Sequence, residues 1–296
     1  MKKSKQYHQI QEINSIIRKD LGSRGIIPLI REESLWKASE SLMQSDRILI
    51  VTGFCVLKPM IGETDGPPGA LSLAYALTGM GKEVLVTTDR YSKRMMERSV
   101  SPSHCPYRIE SVSEGSAEIS QYIQETLRHF RPDHIIAIER PGRAIDGHSY
   151  SMRGERLDPM VPQLDEFFNE EYARTYGYTR ISIGDGGNEM GMGNYYDEIA
   201  RSLNNGKKVA SITTSDILIP AGTSNWGGYG LAAAMSILQS ERLVQSPAEE
   251  WETIQKMVAA GAVDGVSGEC QATVDGLPVP IYLQVLEAIY HLVTVS

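Results

Sequence analysis

Cysteine is scarce in this chain: 296 residues carry three, Cys55, Cys105 and Cys270. They are far apart and form no CxxC or zinc-type spacing, so neither a disulfide framework nor a thiolate metal site is expected. A reduced, cytoplasmic setting is the simplest expectation. No run approaches 18 uninterrupted apolar residues, which argues against a membrane span. The basic start, Met1 to Lys5, leads into polar residues (Gln6, His8, Gln9) instead of the apolar stretch of a secretory signal. A basic excess is also missing, since 29 Lys+Arg stand against 37 Asp+Glu, a net charge of −8 with pI near 5.4. Nucleic acid is therefore not an expected partner. The six histidines show no HExxH or paired spacing, and both Gly-Lys pairs lack the following Ser or Thr of a Walker loop.

What the chain does have is glycine, 27 in all, a residue kept where backbone turns sharply or lies close to a neighbour. Ile10, Ile13, Ile16 and Ile17 recur at helical spacing, so the first twenty residues read as an amphipathic helix ending at the 22–25 turn, with a second helix at 34–44. Short apolar runs follow at 48–51, 84–87, 135–138, 181–183, 209–212 and 217–219, each reading as a buried strand. Helical patterns lie between or after them at 68–80, 118–130, 163–175, 226–239, 247–260 and 280–295. This alternation predicts an α/β fold, a mostly parallel, Rossmann-like sheet with helices on both faces. Length alone allows two domains, but no linker interrupts the pattern. One domain over 1–296 is expected, with 1–45 a helical segment packed on it.

In such a sheet ligands gather beyond the carboxyl ends of the strands. After the first strand, Glu63 and Asp65 precede Pro67 and Pro68, where Asp65 or Gly66 can cap a helix whose free N–H groups would suit an anion. After the third come Arg140, Arg143 and Arg153, forked cations suited to a carboxylate, or else surface ion pairs with Glu139, Asp146 and Glu155. After the fourth, five glycines surround Asp185 and Glu189, and Gly186, Gly187 and Asn188 offer backbone and amide contacts to a small polar ligand. The next loop presents Thr223, Ser224 and Asn225 at a helix start. A late loop at 264–276 carries Asp264, which could cover the site or simply connect, and Asp275, which reads as a turn residue.

Together GETDGPPGA (62–70), ERPGRA (139–144), GDGGNEMGMG (184–193), AGTSNWGGYG (221–230) and DGVSG (264–268) resemble the D-glutamate cyclase family, in particular the catalytic C-terminal domain of its longer mitochondrial member. The resemblance runs from about the first helix to the end of the chain and implies a stand-alone, bacterial-type version. It also implies a hydro-lyase that closes D-glutamate to 5-oxo-D-proline and water. Lactam formation needs acids in two protonation states and an anion clamp. On that basis Asp185 and Glu189 are expected to share proton transfer, Glu63 and Asp65 to orient the amine, and Arg140 or Arg143 to grip a carboxylate. Thr223, Ser224 and Asn225 would complete the anion-binding wall. The hard oxygens of Glu63, Asp65, Asp185 and Glu189 also suit Mg²⁺ or Mn²⁺, although no cofactor is required. A small dicarboxylate or amino acid is the expected partner, with a homo-oligomer open. The competing readings are a nucleotide- or small-anion-binding α/β module without lactam chemistry, and a scaffold.

Overall fold

A computed structural model describes residues 2–31, 34–100, 106–113 and 116–293. Helices α1 (Lys2–Ile17) and α2 (Ser34–Met43) lead into β1 (Arg47–Thr52), and a small hairpin follows, β2 (Cys55–Val56) with β3 (Ile61–Gly62). Next come α3 (Pro67–Gly79), β4 (Glu83–Asp89), α4 (Arg90–Ser99), β5 (Arg108–Val112), α5 (Ser116–His129) and β6 (His134–Ile138). Then α6 (Glu170–Tyr176), β7 (Thr179–Gly184), α7 (Tyr196–Ser202), α8 (Gly206–Val209) and β8 (Ile217–Pro220) lead to α9 (Ser224–Gln239), α10 (Pro247–Ala259) and α11 (Val279–Leu292).

Six strands form one parallel sheet in the order β5-β4-β1-β6-β7-β8. Chain direction reverses across the sheet between β1 and β6, so the crevice beyond their carboxyl ends is the switch point at which such sheets bind ligands. Side chains alternate between the two faces. Ile48, Ile50, Ile136 and Ile138 enter the larger core with α1, α2, α3, α9, α10 and α11, while Leu49, Val51, Ile135 and Ala137 pack with α5 and a 3₁₀ turn at Leu164–Phe168. Both faces are apolar, which is why these strands read as continuous hydrophobic runs.

Three local expectations need correction. The run at 209–212 is not a strand: Val209 ends the single turn of α8, and the amides of Ser211 and Ile212 donate to the carbonyls of Gly187 and Arg143 in facing loops. The helix expected over 163–175 is broken, because Asn169 accepts from the amides of Glu171 and Tyr172 and starts α6 separately. Thirdly, of the two residues expected to cap α3, Gly66 takes the N-cap position and Asp65 does not. Asp65 crosses to α9, accepting from the amides of Ser224 (2.8 Å) and Asn225 (2.9 Å), while the Asn225 side chain accepts from the amides of Gly66 and Gly69 (2.9 Å each) at the start of α3. Each helix thus caps the other. Such proximity requires Gly69 and Gly228, since a Cβ on Gly228 would lie 2.6 Å from the Gly69 carbonyl oxygen.

One buried acid lies away from the crevice. Glu250 of α10 is fully buried, its Oε2 has no hydrogen-bond partner among the described residues, and Tyr282 reaches Oε1 at 3.5 Å. Burial pushes its pKa from 4.5 up to about 8. Because the folded value is the higher one, the native state keeps a proton that the unfolded chain sheds between those pH values, and stability falls as pH rises through that window. The Glu250→Gln protein should therefore match the wild type in pH dependence below about pH 4.5 and gain on it progressively to about pH 8. Urea unfolding at pH 4.5, 6.5 and 8.5 checks this; a constant difference across the three would refute it.

Candidate active site

The loops after β1 and β6 bring Glu63, Asp65 and Glu139 to the switch point, and the loop after β7 adds Asp185. Asp275 joins them from the connection between α10 and α11. All five are buried. Glu139 adopts a positive φ of 43°, an uncommon conformation for a side chain other than glycine, and its Oε2 accepts a 2.6 Å hydrogen bond from Ser224 Oγ. Glu63 fits because residue 265 is glycine, where a Cβ would stand 1.9 Å from Oε2.

Arg24 is the cation of this cluster. It pairs with Asp275, and its Nε stands 3.8 Å from Asp185 Oδ2. Asp20 shapes the turn that presents it, accepting from the amides of Arg24 and Gly25 at 2.8 Å each. The Gly222 amide donates to the Ile17 carbonyl at 2.7 Å, holding the end of α1 beside the loop after β8. Asp185, followed by Asp275, keeps the Arg24 guanidinium charged against the cost of burial. Burial first, and then neighbouring acids, push Glu63 and Glu139 well above the usual carboxylate range. Asp65 and Asp185 are raised as well, chiefly by burial, with Arg24 opposing the shift at both. A cleft of about 230 Å³ adjoins the cluster, lined by the polar Arg24, Glu63, Glu139 and Asn188 and by the apolar Phe54, Leu57, Leu157 and Val266, among others.

The other residues singled out in the sequence take different places. Glu189 accepts from the amides of Asp185, Gly186 and Gly187 at 3.1, 2.6 and 2.6 Å, so it shapes its own loop. Asn188 donates to the Tyr150 carbonyl at 2.7 Å. Thr223 caps α9, and Ser224 and Asn225 are spent on Glu139 and the reciprocal caps. Of the amides at the start of α3 expected to face an anion, those of Gly66 and Gly69 are taken by the Asn225 side chain, and the first α9 amides are taken by Asp65. Arg140 is fully buried and faces Asp89 at 2.6 Å, also donating to the carbonyls of Gly53 and Pro162. Arg143 pairs with Asp165 at 2.7 Å. Of the three arginines beyond β6, Arg153 is the one on the cleft. Asp65, Glu139 and Asp185 each offer an oxygen, all within 4.8 Å of one another, an arrangement that could hold a metal ion.

Residues 13–290 match the family described as D-glutamate cyclase-like, C-terminal. The chain belongs to the D-glutamate cyclase-like family. Within it, the human mitochondrial D-glutamate cyclase is 33% identical over 91% of this chain and 49% of its own length. The chain thus spans about half the length of that relative. Among solved structures, an exopolyphosphatase-related protein from Bacteroides fragilis is similar over 88% of this chain and 58% of its own, with 13% identity and a TM-score of 0.40. A short-chain dehydrogenase/reductase from Serratia marcescens is similar over 47% and 55%, with 14% identity and a TM-score of 0.29. Among the described residues, no helix of this D-glutamate cyclase-like chain is long and apolar enough to cross a membrane.

Arg24, Glu139 and Asp275 are the site residues that sequence reasoning missed, Glu139 having been read only as an ion-pair partner of the nearby arginines. Arg24 lies in the turn taken only as the end of the first helix, and its position between Gly22 and Gly25 was the available signal. Asp275, read as an ordinary Asp-Gly turn, takes φ 54° and turns its carboxylate inward.

Proposed function

We propose that this chain is a hydro-lyase that closes D-glutamate to 5-oxo-D-proline with release of water. The observation that carries the reading is the pair of buried acids, Glu63 and Glu139, on the wall of a cleft beside the guanidinium of Arg24, both pushed by burial above the usual carboxylate range. Membership of the D-glutamate cyclase-like family supports D-glutamate as the substrate.

In the reaction the amine nitrogen attacks the γ-carboxyl carbon, a C–N bond forms, and a C–O bond breaks. Two N–H protons leave with the departing oxygen as water, so no oxidant or second substrate enters. A γ-carboxylate is a poor electrophile, and protonation by an acid whose carboxyl is pushed above the usual carboxylate range removes this obstacle. Glu63 fills that part, and Glu139, once ionised, takes protons from the nitrogen. Arg24 holds the α-carboxylate, an ion pair strengthened by exclusion of water. Asp185 and Asp275 orient Arg24, and the apolar wall receives the two methylenes. Asp65 and Glu189, both bound by backbone N–H groups, hold the loops in register.

Incubation of the purified protein with D- and L-glutamate and with both oxoprolines, resolved by chiral chromatography, tests the reading. Conversion between D-glutamate and 5-oxo-D-proline is expected, with the L forms reacting far more slowly. If neither enantiomer pair interconverts, the proposal fails; calorimetric binding of ATP or NAD without such turnover would favour the nucleotide-binding module.

A further inference from the structure

We propose that Asp65, Glu139 and Asp185 hold one hard divalent cation, Mg²⁺ or Mn²⁺, in the buried acidic cluster that meets the cleft at Glu139. Asp65 comes from the turn before α3, and Glu139 and Asp185 directly follow β6 and β7; each contributes an oxygen within 4.8 Å of the other two. Opposite ligands of a hard ion at about 2.1–2.4 Å span about that distance. No histidine or cysteine belongs to the set, and an all-oxygen site selects Mg²⁺, Mn²⁺ or Ca²⁺ over zinc or copper.

An independent observation comes from Asp185. It is 1% exposed, and among the described residues neither of its oxygens has a hydrogen-bond donor. Arg24 Nε approaches Oδ2 at 3.8 Å, beyond hydrogen-bond range. A buried carboxylate without hydrogen bonds is costly unless a cation completes it, and this one faces the two other acids. They are held as metal ligands commonly are, by groups behind them. Ser224 Oγ donates to Glu139 Oε2, and two α9 amides donate to Asp65, one to each oxygen. A carboxylate oxygen has two lone pairs, so a single N–H leaves the second free. Charge points the same way, since Glu63, Asp65, Glu139, Asp185 and Asp275 converge on one guanidinium.

The proposal stands apart from the lactam reading, because it concerns binding to the protein without substrate. Its test is likewise free of activity. The protein, stripped with EDTA, is titrated with Mn²⁺ alone, and free aqua-Mn²⁺ is followed by electron paramagnetic resonance. One saturable site is expected, displaced by Mg²⁺, together with a rise in Tm on Mn²⁺ addition. Asp185→Asn and Glu139→Gln, each close in shape to the original, should weaken binding at least about tenfold while the far-UV circular dichroism is unchanged. Glu250→Gln should bind like the wild type. Absence of a saturable site in the wild type overturns the proposal whatever the variants do. So does a site of undiminished affinity in both Asp185→Asn and Glu139→Gln, which would mean that the ion sits elsewhere.

Discussion

Arg140→Met is expected to lower the free energy of unfolding by about 3–5 kcal/mol, the cost of leaving one partner of a buried ion pair uncompensated. Asp89 would be the stranded group. It sits at the end of β4, fully buried, where it also caps α4 by accepting from the amides of Tyr91 and Ser92. The carbonyls of Gly53 and Pro162 would lose their donors in the same step, loosening the chain beyond β1 and the segment before the 3₁₀ turn. Lysine should rescue little, because one ammonium cannot reproduce contacts made by two separate guanidinium nitrogens. Urea unfolding of wild type, Arg140→Met and Arg140→Lys decides the matter. If Arg140 instead serves mainly to grip substrate, the variants will unfold at the wild-type midpoint and show a raised KM.

Glu63→Gln should reduce turnover of D-glutamate by about 10²–10⁴, the range for removing a general acid from a reaction that needs one. Glutamine keeps the shape and the space opened by Gly265, so the loss should appear in kcat with KM little changed. Burial and the neighbouring acids push this carboxyl group toward its neutral form, and an amide likewise adds no charge to the cluster. The protein should therefore remain folded, with a Tm no lower than that of the wild type. Steady-state rates and a thermal melt on the same preparation separate chemistry from folding. Wild-type turnover by the variant would remove Glu63 from proton transfer.

Much of the fold was legible because its central strands are buried on both sides. Ile48 to Val51, Ile135 to Ile138 and Ile181 to Ile183 have no solvent-facing positions, so apolar runs of fixed length mark them. The edge strand β5, Arg108–Val112, has polar residues and partial exposure and leaves no such mark. Helix α4 was overlooked for a related reason: Arg90–Ser99 is strongly polar and anchors through Met95 and Met96. At the candidate site, Glu63, Asp65 and Asp185 stood out as acids in glycine-rich loops just past strands. Glu139 was visible only as a possible ion-pair partner of the nearby arginines, which in fact bond elsewhere. Arg24 was hidden by distance along the chain, since its place beside Asp185 depends on closure between the end of α1 and the loop after β8.

The reciprocal caps of α3 and α9 bear on how the protein is made. Asn225, which completes the first turn of α3, is joined to the Gly66 amide across 159 residues. When α3 leaves the ribosome, its N-terminal amides have only water as a partner, and Asp65 has no helix to face. The acidic cluster cannot close around its carboxylates until α9 has been synthesised, so the nascent chain keeps them hydrated and charged through most of translation. Desolvation of the acids, and with it the chemistry proposed for them, begins only when the last third of the chain arrives.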